Sequence, residues 1–267
     1  MQNQFDMLYA RSVDGQNFYD LLDIMQSSEN IQLAYRNIKK NTGSKTAGFD
    51  GQTIEDIKQL KISTVVSTIQ KMFIHYRPQA VRRVLIPKAN GKTRPLGIPT
   101  IWDRLFQQCI LQVLEPICEA RFYKHSYGFR PNRSTHHAKA RFETLVNRAC
   151  LYHCVDIDIK GFFDNVNHSK LLKQMWTMGI RDKALLSIIS RLLKAEIIGE
   201  GIPTKGTPQG GILSPLLSNI VLNELDWWVS NQWENFETKK AYKNKANMNQ
   251  ALKKSNLKHC YIVRYAD

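Results

Sequence analysis

The chain has 267 residues, 43% apolar and 23% charged, which is ordinary globular usage and excludes wholesale disorder; it can bury a core in one large or two intermediate lobes. Against 23 Asp and Glu stand 38 Lys and Arg, and the formal net charge of +15 sets up a field that attracts polyanions, nucleic acid first and an anionic membrane second. No apolar run approaches the ~20 residues a membrane span requires and the polar N-terminus has no signal-peptide core, so a cytoplasmic protein without a membrane partner is expected.

Asn30 to Lys40 carries Ile31, Leu33, Ala34 and Ile38 at helical spacing and ends in basic residues before Gly43, which predicts a helix and then a loop to Gly51. Thr53 with Asp56 has the form of a capping box, and the helix it opens is predicted to run to about His75, since Pro78 forbids continuation. Val81 to Pro87 and Lys92 to Ile98 flank Asn90-Gly91, the pattern of a hairpin, and Arg82, Arg83, Lys88, Lys92 and Arg94 make its arms cationic. A charge run of this kind is usually a solvated face; a hairpin that presents cations is also suited to grip a triphosphate.

Thr100 and Asp103 predict a cap for a helix whose Leu105, Phe106, Cys109, Ile110, Val113, Leu114 and Ile117 form one apolar stripe, a core element. The segment His125 to Ser134, HSYGFRPNRS, is irregular and mixes aromatic with basic residues, suited to base stacking and phosphate contact. From Tyr152 to Asp158 the residues alternate, and a strand is predicted with Asp156 and Asp158 on one face. Helices are expected after Ser169, ending near Gly179, and after Asp182, with Leu185, Leu186, Ile189, Leu192 and Leu193 inward. Past the turn Gly206-Thr207-Pro208-Gln209-Gly210-Gly211, Ser214 and Pro215 start a long helix with a predicted stripe of Leu216, Leu217, Ile220, Val221, Leu225, Trp228 and Val229. Glu237 to Lys258 has seven lysines against one glutamate and no apolar period, the pattern of a mobile basic insertion. Cys260 to Asp267 predicts a last strand, with Tyr261, Val263, Tyr265 and Asp267 on one face.

Five cysteines without paired CxxC spacing indicate neither a disulfide framework nor a zinc site, and the scattered histidines add no ligand set. Metal-dependent nucleotidyl transfer needs at least two converging carboxylates, and Asp156, Asp158, Asp164 and Asp267 are the available candidates.

Asp158-Ile159-Lys160-Gly161-Phe162-Phe163-Asp164, then Pro208-Gln209-Gly210-Gly211, then Tyr265-Ala266-Asp267, resemble in order and spacing the central motifs of reverse transcriptases. With the basic hairpin, the HSYGFRP segment and the Gly48-Phe49-Asp50-Gly51 loop, nearly the whole chain resembles the N-terminal part of a group II intron-encoded reverse transcriptase and maturase. The resemblance implies an α/β right-hand polymerase fold: a helix-rich fingers lobe with a basic β-hairpin and a palm with a small antiparallel sheet. It divides the chain into fingers with an N-terminal extension over 1–100, palm over 101–165, fingers again over 166–203 and palm over 204–267. It implies that Asp158 and Asp267 are catalytic and ligate Mg2+ with the carbonyl of Ile159. By the same resemblance Phe163 lies beneath the nucleotide sugar and excludes a 2′-hydroxyl, Gln209 and Gly210 lie along the incoming dNTP, and Lys88 and Arg94 bind its triphosphate. Arg82, Arg83, Arg130 and Arg133 are assigned more loosely to RNA. The implied partners are group II intron RNA, an RNA template with a DNA primer, and dNTPs; a homodimer is permitted but not indicated. The second aspartate of the Tyr-x-Asp-Asp pair, the primer grip, the thumb and the maturase region are missing from the sequence, so this stretch alone is expected to be inactive and its parent active. A non-catalytic RNA-binding splicing cofactor, and a retron or diversity-generating reverse transcriptase, are the competing readings; an RNA-dependent RNA polymerase would not want a bulky Phe163.

Overall fold

The computed structural model describes residues 1–267 apart from Lys88, Ala89, Asn90, Lys92, Gln209, Asp267 and the side chain of Arg94. In chain order the elements are α1 (Gln2–Val13), α2 (Leu21–Met25), α3 (Ser28–Lys40), a 3-10 turn (Thr42–Lys45), α4 (Ile54–Lys58), α5 (Ile62–Ile74), β1 (Arg82–Pro87), β2 (Thr93–Ile98) and α6 (Ile101–Glu119). There follow α7 (Thr135–Asn147), α8 (Phe162–Asn165), α9 (His168–Thr177), α10 (Lys183–Leu193), α11 (Ser214–Asn231) and α12 (Lys245–Lys253). They divide into two compact units, one of residues 1–121 and 160–220, the other of residues 122–159 and 221–267.

The first unit is built around α6. Thr100 caps it by accepting the Asp103 N–H at 3.2 Å, and all seven residues of its predicted stripe are fully buried. Each such aliphatic or aromatic side chain contributes about 1.5–3 kcal/mol of transfer free energy. α1, α2, α3 and α5 pack on α6. A polar seam fixes the register of α3: Asn30 donates to the carbonyls of Met25 (2.8 Å) and Cys109 (3.0 Å), and Gln112 donates to the Asn30 carbonyl at 2.7 Å. β1 and β2 form the predicted antiparallel hairpin, with Arg82 opposite Ile98 and Pro87 opposite Thr93; its tip at Lys88 to Asn90 lies outside the described residues. Val81, just before β1, is tied by its N–H to the Glu196 carbonyl (2.7 Å) and by its C=O to the Ile198 N–H (3.0 Å).

The predicted helix from Thr53 to His75 is two helices. The capping box at Thr53 and Asp56 forms, but the chain breaks after α4 and restarts at Ile62. One continuous helix would align Ile57, Lys61 and Val65 at i, i+4 and i+8 and so turn Lys61 toward the core; the break leaves Lys61 exposed as the N-cap of α5 while Ile57 and Val65 are both buried.

In the second unit, α7 occupies a stretch for which no element was predicted, and α12 orders part of the basic stretch expected to be mobile. Asn244 caps α12 by accepting the Asn247 N–H at 2.9 Å, Leu252 is buried, and the helix is rich in good helix formers. The strands predicted at Tyr152–Asp158 and Cys260–Asp267 do not form a ladder among the described residues, where the β1–β2 hairpin is the sheet. Val155 and Ile157 are 82% and 72% exposed, so the alternation of this stretch is not matched by a covering layer, and a strand without a partner has nothing to stabilise it. The second segment makes one parallel bridge, Ser126 with Arg264.

α11 departs from its predicted stripe halfway along. Leu216, Leu217 and Ile220 are buried as expected, but Leu225 and Trp228 are 39% and 63% exposed. The buried positions of the second half are Leu222, Asp226 and Ser230, a face set by a buried ion pair rather than by apolar spacing.

Candidate active site

Two groups of site residues are each assembled within their own unit. In the first unit, Gly161 takes a left-handed conformation and leads into the single turn α8, where Phe163 is half buried with its ring edge-on to Phe162 at 5.9 Å. This turn is stapled to the loop at Gly206. The Thr207 N–H donates to the Phe163 carbonyl (2.7 Å), the Gly206 N–H to the Val166 carbonyl (2.7 Å), and His168, buried at the start of α9, bonds through Nε2 to the Gly206 carbonyl at 2.7 Å. Further along, the Ser214 hydroxyl donates to the Pro208 carbonyl at 2.7 Å. Gly210 has φ +104°, and a Cβ there would stand 2.3 Å from the Gly97 carbonyl oxygen of β2. Sequence expectation gave Gly210 close approach to a nucleotide; the structure supplies a protein neighbour, the hairpin itself. Phe163, Gly210 and the base of the hairpin are thus brought together, while Lys88, Gln209 and the Arg94 side chain lie outside the described residues.

The hairpin arginines are engaged within the unit. Arg82 donates to the Ala47 carbonyl at 2.8 Å, and Arg83 forms a two-pronged pair with Glu200 at 2.8 and 2.9 Å.

In the second unit Asp158 is exposed and Ile159 half buried, in an irregular segment. Among the described residues no three His, Cys, Asp and Glu side chains gather into a metal site, and Asp267 lies outside them. The HSYGFRP segment has a structural function that its composition does not disclose. Arg130 is 6% exposed, donates to the carbonyls of Tyr123 and Ser126 at 2.8 Å each, and stacks over Phe122. Arg133 donates to the Lys124 carbonyl at 2.6 Å and lies over the Tyr127 ring. Glu234 gathers Tyr123 Oη (2.6 Å), Lys124 Nζ (2.8 Å) and Arg141 (3.5 Å). Burial alone would raise its carboxyl pKa, but hydrogen bonds from His125, Lys124 and Tyr123 outweigh that and hold it well below the usual carboxylate range.

The same segment receives the chain just ahead of Asp267. Arg264 donates its N–H to the His125 carbonyl (3.1 Å) and accepts the Tyr127 N–H at its own carbonyl (2.9 Å). Its guanidinium meets Asp226 through Nε at 2.8 and 3.1 Å and through Nη2 at 2.8 Å, donates from Nη2 to Ser126 Oγ at 2.7 Å, and from Nη1 to the Ala266 carbonyl. Asp226 is fully buried and Arg264 8% exposed. A Cβ at Gly128 would fall 2.1 Å from the Ala266 nitrogen, so glycine is what lets the two segments lie in contact. Ser126, Gly128, Asp226, His168, Glu234 and Arg264 escaped the sequence reading. The available signal for Asp226 was Asn219, Leu222, Asn223, Asp226 and Ser230, a largely polar row at helical spacing inside an otherwise apolar helix.

A family model described as reverse transcriptase (RNA-dependent DNA polymerase) matches residues 86–267. Protein YkfC of Escherichia coli strain K12 is 36% identical over 80% of this chain and 58% of its own length. The group II intron-encoded protein LtrA of Lactococcus lactis subsp. cremoris is 40% identical over 74% of this chain and 33% of its own. Among solved structures, a chain of a partial Cas6-RT-Cas1–Cas2 complex superimposes with a TM-score of 0.51 at 26% identity, covering 79% of this chain and 35% of that one. The chain therefore spans little more than half of YkfC and a third of LtrA. The match over residues 86–267, reaching from the hairpin through the Phe163 turn and the Gly206 loop to Asp267, means that the chain belongs to the reverse transcriptase family and is related within it to the group II intron-encoded proteins.

Proposed function

We infer that the chain is the nucleotide-binding and catalytic region of an intron-encoded reverse transcriptase and maturase, a protein that binds its intron RNA, assists its splicing and copies an RNA template from a DNA primer. The observation that carries this reading is the joint construction, within the family match, of the Phe163 turn hydrogen-bonded to the Gly206–Thr207 loop and of Gly210 in close approach to Gly97 of the hairpin. In the reaction the primer 3′-hydroxyl attacks the α-phosphate of a dNTP, one P–O bond forms, another breaks, and pyrophosphate leaves. Asp158 is a solvent-open hard oxygen donor, the type that suits a magnesium ion, and with the Ile159 carbonyl and Asp267 it would hold that ion. The bound metal supplies charge stabilisation to the nucleophile and the leaving group. Phe163 takes the floor beneath the sugar and blocks a 2′-hydroxyl; Gly210 and Gln209 flank the nucleotide; Lys88 and Arg94 offset the triphosphate charge. Arg82, Arg83, Arg130 and Arg133 are all engaged by internal partners, which favours a scaffold role beside any RNA contact. RNA binding has a second support in the net charge of +15.

The test is primer extension on an RNA template by the full-length protein. Asp158→Ala is expected to abolish cDNA synthesis while RNA binding survives. Intact extension by Asp158→Ala would falsify the catalytic assignment.

A further inference from the structure

We propose that Asp226, Arg264 and Ser126, with Gly128, form a positioning clamp that fixes the backbone at Ala266, the residue leading into Asp267, for catalysis. This rests on the reading of Asp267 as a catalytic carboxylate. Arg264 is three residues ahead of Asp267, and its backbone is held on both sides by His125 and Tyr127. Its guanidinium reaches three different segments at once: Asp226 on α11, Ser126 beside the bridge, and the carbonyl of Ala266, the residue joined to Asp267. Ala266 sits at φ +67°, a left-handed conformation that a non-glycine residue keeps only when its surroundings impose it. Here the surroundings are the Arg264 fork on one side and the missing Cβ of Gly128 on the other.

Stability alone is a poor reason for such a pair. Two charges at 0% and 8% exposure lose their hydration, and a packed apolar pair of equal volume does as well or better in holding a fold. What an apolar pair lacks is direction. A planar guanidinium with a carboxylate on one edge fixes the orientation of its remaining donors, and one of these fixes the Ala266 carbonyl. The backbone at Ala266, which leads into Asp267, is then held in one orientation, and misplacement by about 1 Å at a reacting centre costs on the order of a hundredfold in rate. Arg264 and Asp226 are accordingly positioning residues, and neither touches substrate.

The test uses the full-length protein in single-nucleotide primer extension, with Arg264→Lys, Asp226→Asn and Ser126→Ala, and Asp158→Ala as the control. Lysine keeps the charge but cannot span Asp226 and Ala266 together. Arg264→Lys is expected to lower kcat by about 30-fold with the dNTP KM changed less than about threefold, Asp226→Asn to fall between it and wild type, and Ser126→Ala to show the smallest loss. Arg264→Lys and Asp226→Asn break a buried pair and should lower the unfolding midpoint, so kcat is referred to the folded fraction; template affinity should stay at the wild-type value, while amide exchange across 125–128 and 264–266 accelerates. Full kcat in Arg264→Lys overturns the clamp, and so does a loss that merely tracks the folded fraction in all three variants. Should Asp158→Ala still extend primers, it is the catalytic reading that fails; a dead Asp158→Ala beside a fully active Arg264→Lys removes the clamp alone.

Discussion

Gly210 shows how a residue of the expected kind can be required by a neighbour of an unexpected kind. The Gly97 carbonyl occupies the place where a Cβ would go, and φ +104° is foreign to L side chains, so glycine is required before any nucleotide arrives. Gly210→Ala is therefore expected to destabilise the chain by about 2–3 kcal/mol in urea unfolding without ligand, the sum of backbone strain and a displaced hairpin. An unchanged unfolding midpoint would return the glycine to the nucleotide alone. Phe163 poses the complementary case, because its ring packs on Phe162 while its carbonyl holds Thr207. Since the loop is held by the backbone of Phe163, truncating the ring leaves the staple in place. Phe163→Ala should raise rNTP incorporation relative to dNTP by at least tenfold, the scale of one lost steric contact, and unaltered sugar selectivity in competition assays would dispose of the gate.

Asp182 is the clearest junction between elements. Its Oδ1 caps α10 through the Leu185 N–H (3.0 Å) and its Oδ2 accepts the Leu21 N–H (2.9 Å) at the start of α2, 161 residues away in sequence. One buried carboxylate thus satisfies the orphan donors of two helices, and Asp182→Ala is expected to cost about 2–4 kcal/mol in chemical unfolding. Asparagine should recover roughly half, since it keeps one acceptor. The cap of α10 was legible from Asp182 itself, as were the caps at Thr53 and Thr100 and the α6 stripe, because caps and amphipathic faces are local signals. The second use of Asp182 was not, because α2 arrives from the far end of the unit. Non-local partners also explain the other departures. The face of α11 follows Arg264, which no spacing within the helix announces, and the alternation at 152–158 describes a strand only where a second strand is present to pair. Of the candidate site, Asp158, Phe163 and Gly210 are proposed from motif resemblance, whereas the contacts around Phe163 and Gly210, from Thr207 and Gly97, are non-local and were not legible in the sequence.

Charge is the property that belongs to the molecule as a whole, and it yields a prediction that does not depend on any single contact. A net +15 is not distributed evenly: the stretch from Glu237 to Lys258 contributes seven lysines, all exposed, against one glutamate. By contrast Arg82 and Arg130 donate to backbone carbonyls and Arg83 is paired with Glu200, so these three arginines are engaged by the scaffold. Binding to RNA through neutralised phosphates releases counterions, which makes log affinity fall linearly with log salt by roughly 0.7–0.9 for each phosphate contacted. Intron RNA titrated between low and physiological salt should therefore show a steep slope. Replacing Lys239, Lys240 and Lys243 together with glutamine should reduce that slope by about two, since roughly one contact is lost for each lysine that meets a phosphate. The same triple change at exposed positions should leave unfolding unaltered, for none of the three side chains is buried. A slope unchanged by the triple substitution would mean that these lysines are a solvated face and that the phosphate-tracking surface lies elsewhere; a flat salt response in the unsubstituted protein would remove the electrostatic footprint altogether.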